Sequence, residues 1–435
     1  MNQYIKRIWA SLRQDSVVTI INILGTALAI FLIMIMVLMQ EVKVLPFSPE
    51  SNRDRFLIAD AFAVEKLDKN GMSAGGLSEF VAKQLYSSLK TPEAVTLFAV
   101  NFGTSCLLSA DNSNPISVDQ KQTDASFWRV FDFDFISGKP YDQAAFNAKQ
   151  KVLVLSEGVA RHLFHSVNVV GRTVEMNYTP YTICGVVHDV SSLASLAYSQ
   201  IWVPYSTTNI IKNMGGINDM PCNGPFHVVA LARSKSDLPK IIQEYKKSAA
   251  AFNSQLKSHG MKITDNGRPY GIFDCSLGAF SNQKPDPKIF YIREGLIFLI
   301  LLLVPAINLS SMTQSRLRRY ITEIGIRRAF GCRRSRMLTD IVTENFILTL
   351  AAGCIGLLFC YLFTYFNSDL VFANITDYFF NSNGHHSVNF SLLFSPTVFL
   401  FALLFCFLLN LLSSIIPAWQ ASRTNIVNAL NGRTR

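Results

Sequence analysis

Apolar residues are concentrated in four long stretches of the chain, at 17–39, 289–311, 345–366 and 396–416. Each approaches or exceeds the roughly 20 residues that a helix needs to cross the hydrocarbon core of a bilayer. The second stretch is the least regular, because Arg293 and Glu294 interrupt it and have to reach toward the lipid headgroups. The pattern predicts a membrane protein with four transmembrane α-helices, over residues 17–39, 289–311, 339–366 and 395–417.

The polar segments complete this plan. Residues 1–16 place apolar side chains at helical spacing between basic ones, which predicts an amphipathic helix lying on the membrane surface. The first apolar stretch is longer than the roughly 15 residues of a signal-peptide core, and no A-x-A-like site follows it, so a retained helix is predicted. The other predicted segments are a large domain at 40–288, a link at 312–338, a short loop at 367–394 and a tail at 418–435.

The large domain has a mixed pattern of helices and strands. Short runs rich in β-branched residues, at 151–156, 181–190, 199–206 and 226–233, predict strands. Runs with helical periodicity lie at 77–89 and 238–256. The alternation predicts an α+β fold of two subdomains for residues 40–288. In FDFDF, the spacing of Asp132 and Asp134 predicts a strand with one solvated face rather than a pair of catalytic carboxylates.

Positive charge lies beside the apolar stretches. The net charge is +10, yet residues 41–288 contain 25 Lys and Arg residues against 23 Asp and Glu residues. A nucleic-acid-binding protein would carry a basic face on its folded domain, so this distribution argues against nucleic acid as a partner. The 312–338 link contains eight arginines, whereas 367–394 has no Lys or Arg. Because short basic loops stay in the cytoplasm, both termini and the link are predicted to be cytoplasmic and residues 40–288 and 367–394 extracytoplasmic.

Candidate chemistry in the sequence is sparse. There is no GxSxG, HExxH or calcium-loop motif, and no GxxxxGK[ST] phosphate-binding loop. The histidine pairs His162/His165 and His385/His386 are more simply explained as exposed polar residues than as metal ligands. The four cysteines of the large domain have no metal-site spacing, and the sequence leaves open whether they form disulfides or remain buried thiols. They are Cys106, Cys184, Cys222 and Cys275.

Small residues recur within two of the apolar stretches. Gly25 and Ala29 form a small-xxx-small pair in the first, and Gly353 and Gly356 form a small-residue patch in the third. Such residues allow the backbones of two helices to approach closely. The pattern fits both a dimer interface and packing within one chain.

Three ordered motifs resemble those of the FtsX/MacB-type ABC transporter permeases, also called type VII. The first is 151–190, KVLVLSEGVARHLFHSVNVVGRTVEMNYTPYTICGVVHDV, which resembles the periplasmic core domain of that family, with DASFWRVFDFDFISGKPY at 124–141 upstream of it. The second is EIGIRRAFGCRRSRMLTDIVTENFILTLAAGCIG at 323–356, which begins with the segment EIGIRRAFG, and the third is PAWQASRTNIVNAL at 417–430. Ile426 occupies a position where the family usually has proline.

The resemblance implies a mechanism. In the family, the EIGIRRAFG segment is a coupling helix that docks on a cytoplasmic ATPase, which hydrolyses ATP with Mg²⁺. The movement is then transmitted to a periplasmic domain, for efflux, lipoprotein release or regulation of cell-wall enzymes. By this resemblance the ATPase-coupling residues are Glu323, Ile326, Arg327, Arg328, Phe330 and Gly331.

The family's partners and location carry over as expectations too. They are a second permease copy or paralogue, the lipid of a bacterial inner membrane and a periplasmic or outer-membrane protein. No cofactor, metal or catalytic activity is expected in this chain itself. A membrane receptor with a ligand-binding extracytoplasmic domain is the alternative. The short inner segments argue against a receptor, since they leave little room for a cytoplasmic output domain.

Overall fold

The structure is a computed structural model, and it describes residues 16–68, 71–99, 104–109, 112–208, 210, 222–277, 285–319, 326, 329–372, 400–402, 404–409, 411 and 413. These residues belong to two compact units. The helical unit contains the described residues up to Gln40, those from Lys288 to Val371 and those from 400 onward. The α+β unit contains the described residues within Glu41–Pro287, together with Phe372.

The α-helices of the described residues differ widely in length. In chain order they are α1 (Ser16–Val44), α2 (Glu79–Tyr86), α3 (Phe127–Val130), α4 (Gln143–Asn147), α5 (Glu157–Phe164), α6 (Leu238–Lys257), α7 (Ile272–Leu277), α8 (Pro287–Arg319), α9 (Arg334–Phe366), α10 (Ser368–Phe372) and α11 (Leu400–Leu409). Short 3₁₀ helices lie at Arg53–Arg55, Tyr205–Thr207 and Lys235–Asp237.

Two helices among the described residues are long and apolar enough to cross a bilayer. They are Ile23–Val44 within α1 and Asn345–Phe366 within α9, with mean hydropathies of 2.5 and 2.3. They coincide with the first and third predicted spans, although α1 continues beyond the predicted end at residue 39. Helix α8 covers the predicted second span and continues to Arg319, and α11 lies inside the predicted fourth span. That α8 and α11 cross the membrane stays a prediction.

One face of α1 is buried in the helical unit. Ala27, Ile30, Met34 and Leu38, spaced three or four residues apart, are almost fully buried. The ring of Phe31 meets Phe363 of α9 edge to face at 5.5 Å. The spacing follows from the helical period, which places these positions in one stripe. Helices α1 and α9 therefore pack against each other within one chain.

The α+β unit contains two sheets. Its strands are β1 (Phe56–Ala59), β2 (Phe62–Lys66), β3 (Met72–Gly75), β4 (Ala94–Ala99), β5 (Thr104–Ser109), β6 (Asn112–Thr123), β7 (Phe135–Gly138), β8 (Val152–Ser156), β9 (Thr173–Met176), β10 (Thr179–Val187), β11 (Ile201–Pro204), β12 (Phe226–Leu231) and β13 (Met261–Thr264).

The larger sheet has ten strands, in the order β1-β12-β4-β6-β11-β8-β10-β9-β5, with β7 paired to β10. Its pairs are antiparallel except for β8 with β10 and β6 with β11, which are parallel. Strand β5 at one end of this order also pairs with the long strand β6, so the strands from β6 to β5 form a closed ring. The smaller sheet, β13-β2-β3, is antiparallel.

The α+β prediction is confirmed at its main elements. Strands β8, β10, β11 and β12 overlap the four predicted strand segments, and α2 and α6 overlap the two predicted helical segments. Ser156 ends β8 and caps α5, since its hydroxyl accepts a hydrogen bond from the Val159 amide. One core cluster includes Val64 and Ile263 of the smaller sheet with Phe226 of the larger. The division into two subdomains stays a prediction.

The predicted strand at FDFDF is wrong. The backbone is irregular from Asp132 to Asp134, and β7 begins only at Phe135. Asp132 is held by hydrogen bonds from the side chains of Ser51 and Asn52, the latter at 3.0 Å. Phe133 packs its ring 5.1 Å from that of Trp202. These long-range contacts replace the ladder that the alternation predicted.

Candidate functional site

The link between α8 and α9 contains the predicted coupling residues. Of these, Ile326, Phe330 and Gly331 are described, whereas Glu323, Arg327 and Arg328 lie outside the described residues. The Phe330 amide donates a hydrogen bond to the Ile326 carbonyl at 3.0 Å. This bond closes a helical turn, as the periodicity of EIGIRRAFG predicted.

Gly331 ends that turn. Its φ is +87°, a left-handed conformation that a residue with a Cβ adopts only at a cost, and no atom lies near the position that a Cβ would take. The glycine therefore serves the backbone, as expected of a C-terminal cap. Arg333 follows in an extended conformation, and α9 begins at Arg334.

The capped turn leaves two large apolar side chains in contact with solvent. Phe330 is 88% exposed and Ile326 is 44% exposed. Residues four apart lie on the same helical face, so these two side chains form one small apolar surface within an arginine-rich segment. Such a surface suits the binding of a partner protein, since aromatic residues are enriched at the centres of interfaces. It offers no group for bond-making chemistry.

The predicted helix-packing residues separate into two sets. A Cβ at Gly356 would lie 2.6 Å from the Ala27 carbonyl oxygen and 3.2 Å from Ile30, and a Cβ at Gly353 would lie 2.5 Å from the Cys406 sulfur. These two glycines therefore let α9 approach α1 and α11 closely. Gly25 is exposed and Ala29 is half-buried, and neither belongs to the buried face of α1.

The predicted metal and thiol candidates gain no further support. Among the described residues, no group of three His, Cys, Asp or Glu side chains is placed to hold a metal ion. His165 follows α5 as its C-terminal cap, in a left-handed conformation with a φ of +54°. His385 and His386 lie outside the described residues. All eight cysteines are free thiols, and burial raises the pKa of Cys184 to about 12.

The chain therefore has the parts of a membrane permease: long apolar helices, a basic link with an exposed apolar turn, and a large α+β unit. Comparison with known proteins gives the same class. The MacB-like periplasmic core domain matches residues 19–247, and the FtsX-like permease C-terminal domain matches residues 295–426. The chain belongs to the FtsX/MacB-type family of ABC transporter permeases, and the resemblance found in the sequence is confirmed.

Individual relatives match at low identity. The chain is 26% identical over 257 residues to YknZ, an uncharacterized ABC transporter permease of Bacillus subtilis. The aligned residues cover 57% of this chain and 59% of YknZ. It is 21% identical over 322 residues to MacB of Escherichia coli K12, a macrolide export ATP-binding/permease protein. The aligned residues cover 73% of this chain and 44% of MacB. The chain thus spans about half the length of these two relatives.

Two solved structures match part of the chain at low identity. The periplasmic region of MacB from Actinobacillus actinomycetemcomitans matches with a TM-score of 0.33 and 19% identity, over 47% of this chain and 88% of that one. The extracellular domain of YknZ matches with a TM-score of 0.32 and 14% identity, over 47% of this chain and all of that one.

Proposed function

We propose that this chain is the membrane subunit of an ABC transporter in which a separate cytoplasmic ATPase drives movements of the α+β unit. One observation carries the proposal: Ile326 and Phe330 are exposed at the capped end of a helical turn, inside the basic link between α8 and α9. The Phe330 ring buries little of its surface against its own chain. Its burial against a partner would stabilise the complex by about 2 kcal/mol.

The ATPase would supply the chemistry. The sequence contains no phosphate-binding loop of the GxxxxGK[ST] type, so ATP and Mg²⁺ would be bound by the partner. Glu323, Arg327 and Arg328 would add charged contacts around the apolar turn, which favour fast association and a fixed orientation. The movement would act in efflux, lipoprotein release or regulation of cell-wall enzymes.

The membrane arrangement is part of the same proposal. Four spans in the bacterial inner membrane would place both termini and the link on the cytoplasmic side and the α+β unit in the periplasm, where a periplasmic or outer-membrane protein could bind. A second permease copy or a paralogue would complete a dimer. Gly25 is exposed while Gly353 and Gly356 already pack within the chain, which leaves the Gly25 side of α1 available to that copy.

The test is co-purification of the tagged protein in mild detergent, with mass spectrometry of what accompanies it and an ATPase assay of the eluate. Phe330→Ala, Glu323→Gln and Arg327→Ala should each reduce the amount of bound ATPase and its stimulated activity by about tenfold, because loss of a central interface side chain costs about 1–2 kcal/mol. The folded permease should be recovered at the level of the unchanged protein.

Arg336→Ala is the matched control. Arg336 is an exposed arginine of the same link, in the first turn of α9, outside EIGIRRAFG. If the arginines act only as topology signals, Arg327→Ala and Arg336→Ala will have equal effects and Phe330→Ala none, which would contradict the docking role. Recovery of a stable protein without any ATPase in several detergents would favour the receptor hypothesis instead.

A further inference from the structure

Glu50 and Arg53 form a buried ion pair where the chain leaves α1. Arg53 is 2% exposed and Glu50 is fully buried, and the arginine Nε donates to a Glu50 carboxylate oxygen at 2.6 Å. Charged residues are rarely buried in this way unless every polar atom has a partner. The partners of this pair therefore indicate what it holds together.

The guanidinium group of Arg53 binds the end of α1. Its Nη1 donates to the carbonyls of Val42 at 2.8 Å and Leu45 at 3.1 Å. The last carbonyls of a helix have no partner within the helix, and a cation is favoured beside them. The ring of Phe47 lies 4.3 Å from the guanidinium carbon and covers it. Arg53 thus caps the helix from a position beyond it.

The same two side chains bind a turn that is distant in sequence. Arg53 Nη2 donates to the Leu193 carbonyl at 2.7 Å, and the second oxygen of Glu50 accepts hydrogen bonds from the amides of Leu196 and Ala197 at 2.8 and 2.9 Å. We call residues 193–197 the buried turn, since most of the segment is buried, although Ser195 is exposed. Its residues are in neither helix nor strand, and Glu50 and Arg53 supply partners that secondary structure does not.

Hydrogen bonds also hold the buried turn against the middle of the larger sheet. Lys121 of β6 donates to the carbonyls of Ser195 and Leu196 at 3.3 and 2.6 Å. Trp202 of β11 donates to the Ala197 carbonyl at 3.0 Å. Strands β6 and β11 are neighbours in the ten-stranded sheet. Hydrogen bonds therefore connect the end of α1 to this sheet through one short turn.

We propose that Glu50 and Arg53 are positioning residues that fix the end of α1 to the buried turn, so that a displacement of α1 moves the ten-stranded sheet as one body. The inference rests on the proposed function and adds the residues through which the movement enters the α+β unit. A loose connection at this point would absorb a displacement of α1, because the chain from Leu45 to Glu50 contains no long helix or strand of its own.

The test is hydrogen–deuterium exchange, followed by mass spectrometry, on the full chain in complex with its ATPase. Exchange at the buried turn is compared between the nucleotide-free complex and the complex trapped with a non-hydrolysable ATP analogue. In the unchanged protein, exchange in the buried turn should be equally slow in the two states, because the turn moves together with α1 and keeps its hydrogen bonds. In Arg53→Lys, the Leu196 and Ala197 amides should exchange about tenfold faster, and their exchange should become nucleotide-dependent, because α1 can then move without the turn.

Two further variants keep the test decisive. A buried pair with one charge removed can unfold, so Glu50→Gln with Arg53→Gln removes both charges while keeping groups that can hydrogen-bond, and should behave like Arg53→Lys. Arg55→Gln is the matched control. Arg55 lies in the same 3₁₀ helix but donates to the carbonyls of Ala232 and Arg233, away from α1 and the buried turn. Its buried turn should exchange as slowly as that of the unchanged protein in both states.

The outcomes separate the two hypotheses. If Arg53→Lys and the double variant exchange as slowly as the unchanged protein, or exchange faster but equally in both states, the positioning role is wrong while the proposed function stands. If no ATPase accompanies the unchanged protein, the proposed function itself fails, and this inference fails with it.

Discussion

Burial sets the charge state of individual side chains in the α+β unit. Desolvation lowers the pKa of Lys121 to about 8, although Glu50 and Asp119 oppose the shift. Desolvation also lowers the pKa of His227 to about 4, with Asp60 opposing the shift and Lys121 and Arg268 adding to it. In both cases burial penalises the charged form. These groups make the stability of the unit depend on pH.

We expect His227 to destabilise the α+β unit in mild acid. Its usual pKa is about 6.5, so the unfolded state binds a proton more readily than the folded state between about pH 6.5 and pH 4. The free energy of unfolding is therefore at its full value above about pH 6.5. It falls by about 3 kcal/mol as the pH decreases to about 4, if no other group compensates. Thermal unfolding of the detergent-solubilised protein across this pH range measures the effect.

His227→Gln should flatten the pH dependence in that window. Glutamine is similar in size and does not titrate, so its midpoint temperature should change little between pH 6.5 and pH 4. His162→Gln removes an exposed histidine of α5 and serves as the control. A pH dependence of His227→Gln equal to that of the unchanged protein would show that other groups cause the acid sensitivity.

The sequence predicted single residues well where the cause is local. The left-handed conformation of Gly331 follows from a glycine at the end of a helical pattern, and only neighbouring residues are involved. The Glu50–Arg53 pair was not predicted, because its burial depends on Leu193, which is 140 positions away. The spacing of a glutamate three residues before an arginine was visible, but exposed helices contain the same spacing and it does not indicate burial.

Elements were predictable where the hydrophobic period was strong. Strands β8 and β12 are apolar runs buried in the sheet, and α2 and α6 follow the helical period. The segment FDFDF has a clear alternation too, but hydrogen bonds from Ser51 and Asn52 hold it out of a strand. For the small-residue pairs, the sequence left packing within the chain and packing against a second copy equally open, and the structure assigns Gly353 and Gly356 to the former.

We expect Gly356→Ala to destabilise the helical unit more than Gly353→Ala. The new methyl group at 356 would meet the backbone carbonyl of Ala27, which cannot move without shifting α1, and such overpacking costs about 1–3 kcal/mol. At 353 the obstacle is the end of the Cys406 side chain, which can rotate away. Thermal stability in detergent, followed by the size-exclusion profile after heating, measures both.

Combining Cys406→Ala with each glycine substitution tests whether the two methyl groups meet different obstacles. Removal of the sulfur should restore the stability of Gly353→Ala and leave Gly356→Ala unimproved. Gly295→Ala is the control, because no atom lies within 4 Å of its new methyl group and its helix α8 gains the better helix former. Equal losses at 353 and 356, or rescue of both by Cys406→Ala, would contradict the packing of α9 against α1.

The whole molecule is organised by the distribution of its charge. The link between α8 and α9 is rich in arginine, and the α+β unit lies in a nearly neutral part of the sequence. Arginines in short links keep those links in the cytoplasm. Two native cysteines can show on which side of the membrane each segment lies. Cys106 is exposed on β5, and Cys332 is partly exposed directly after Gly331. The proposed topology places them on opposite faces of the membrane.

A membrane-impermeant maleimide should therefore modify the two thiols differently. In spheroplasts, a variant that retains only Cys106 should be labelled, whereas a variant that retains only Cys332 should be labelled only after the membrane is permeabilised. Both variants, purified in detergent, should react, which shows that each thiol is accessible. Labelling of Cys332 in intact spheroplasts would place the link outside. It would then be unable to meet a cytoplasmic ATPase, and the arginines and Phe330 would need another partner.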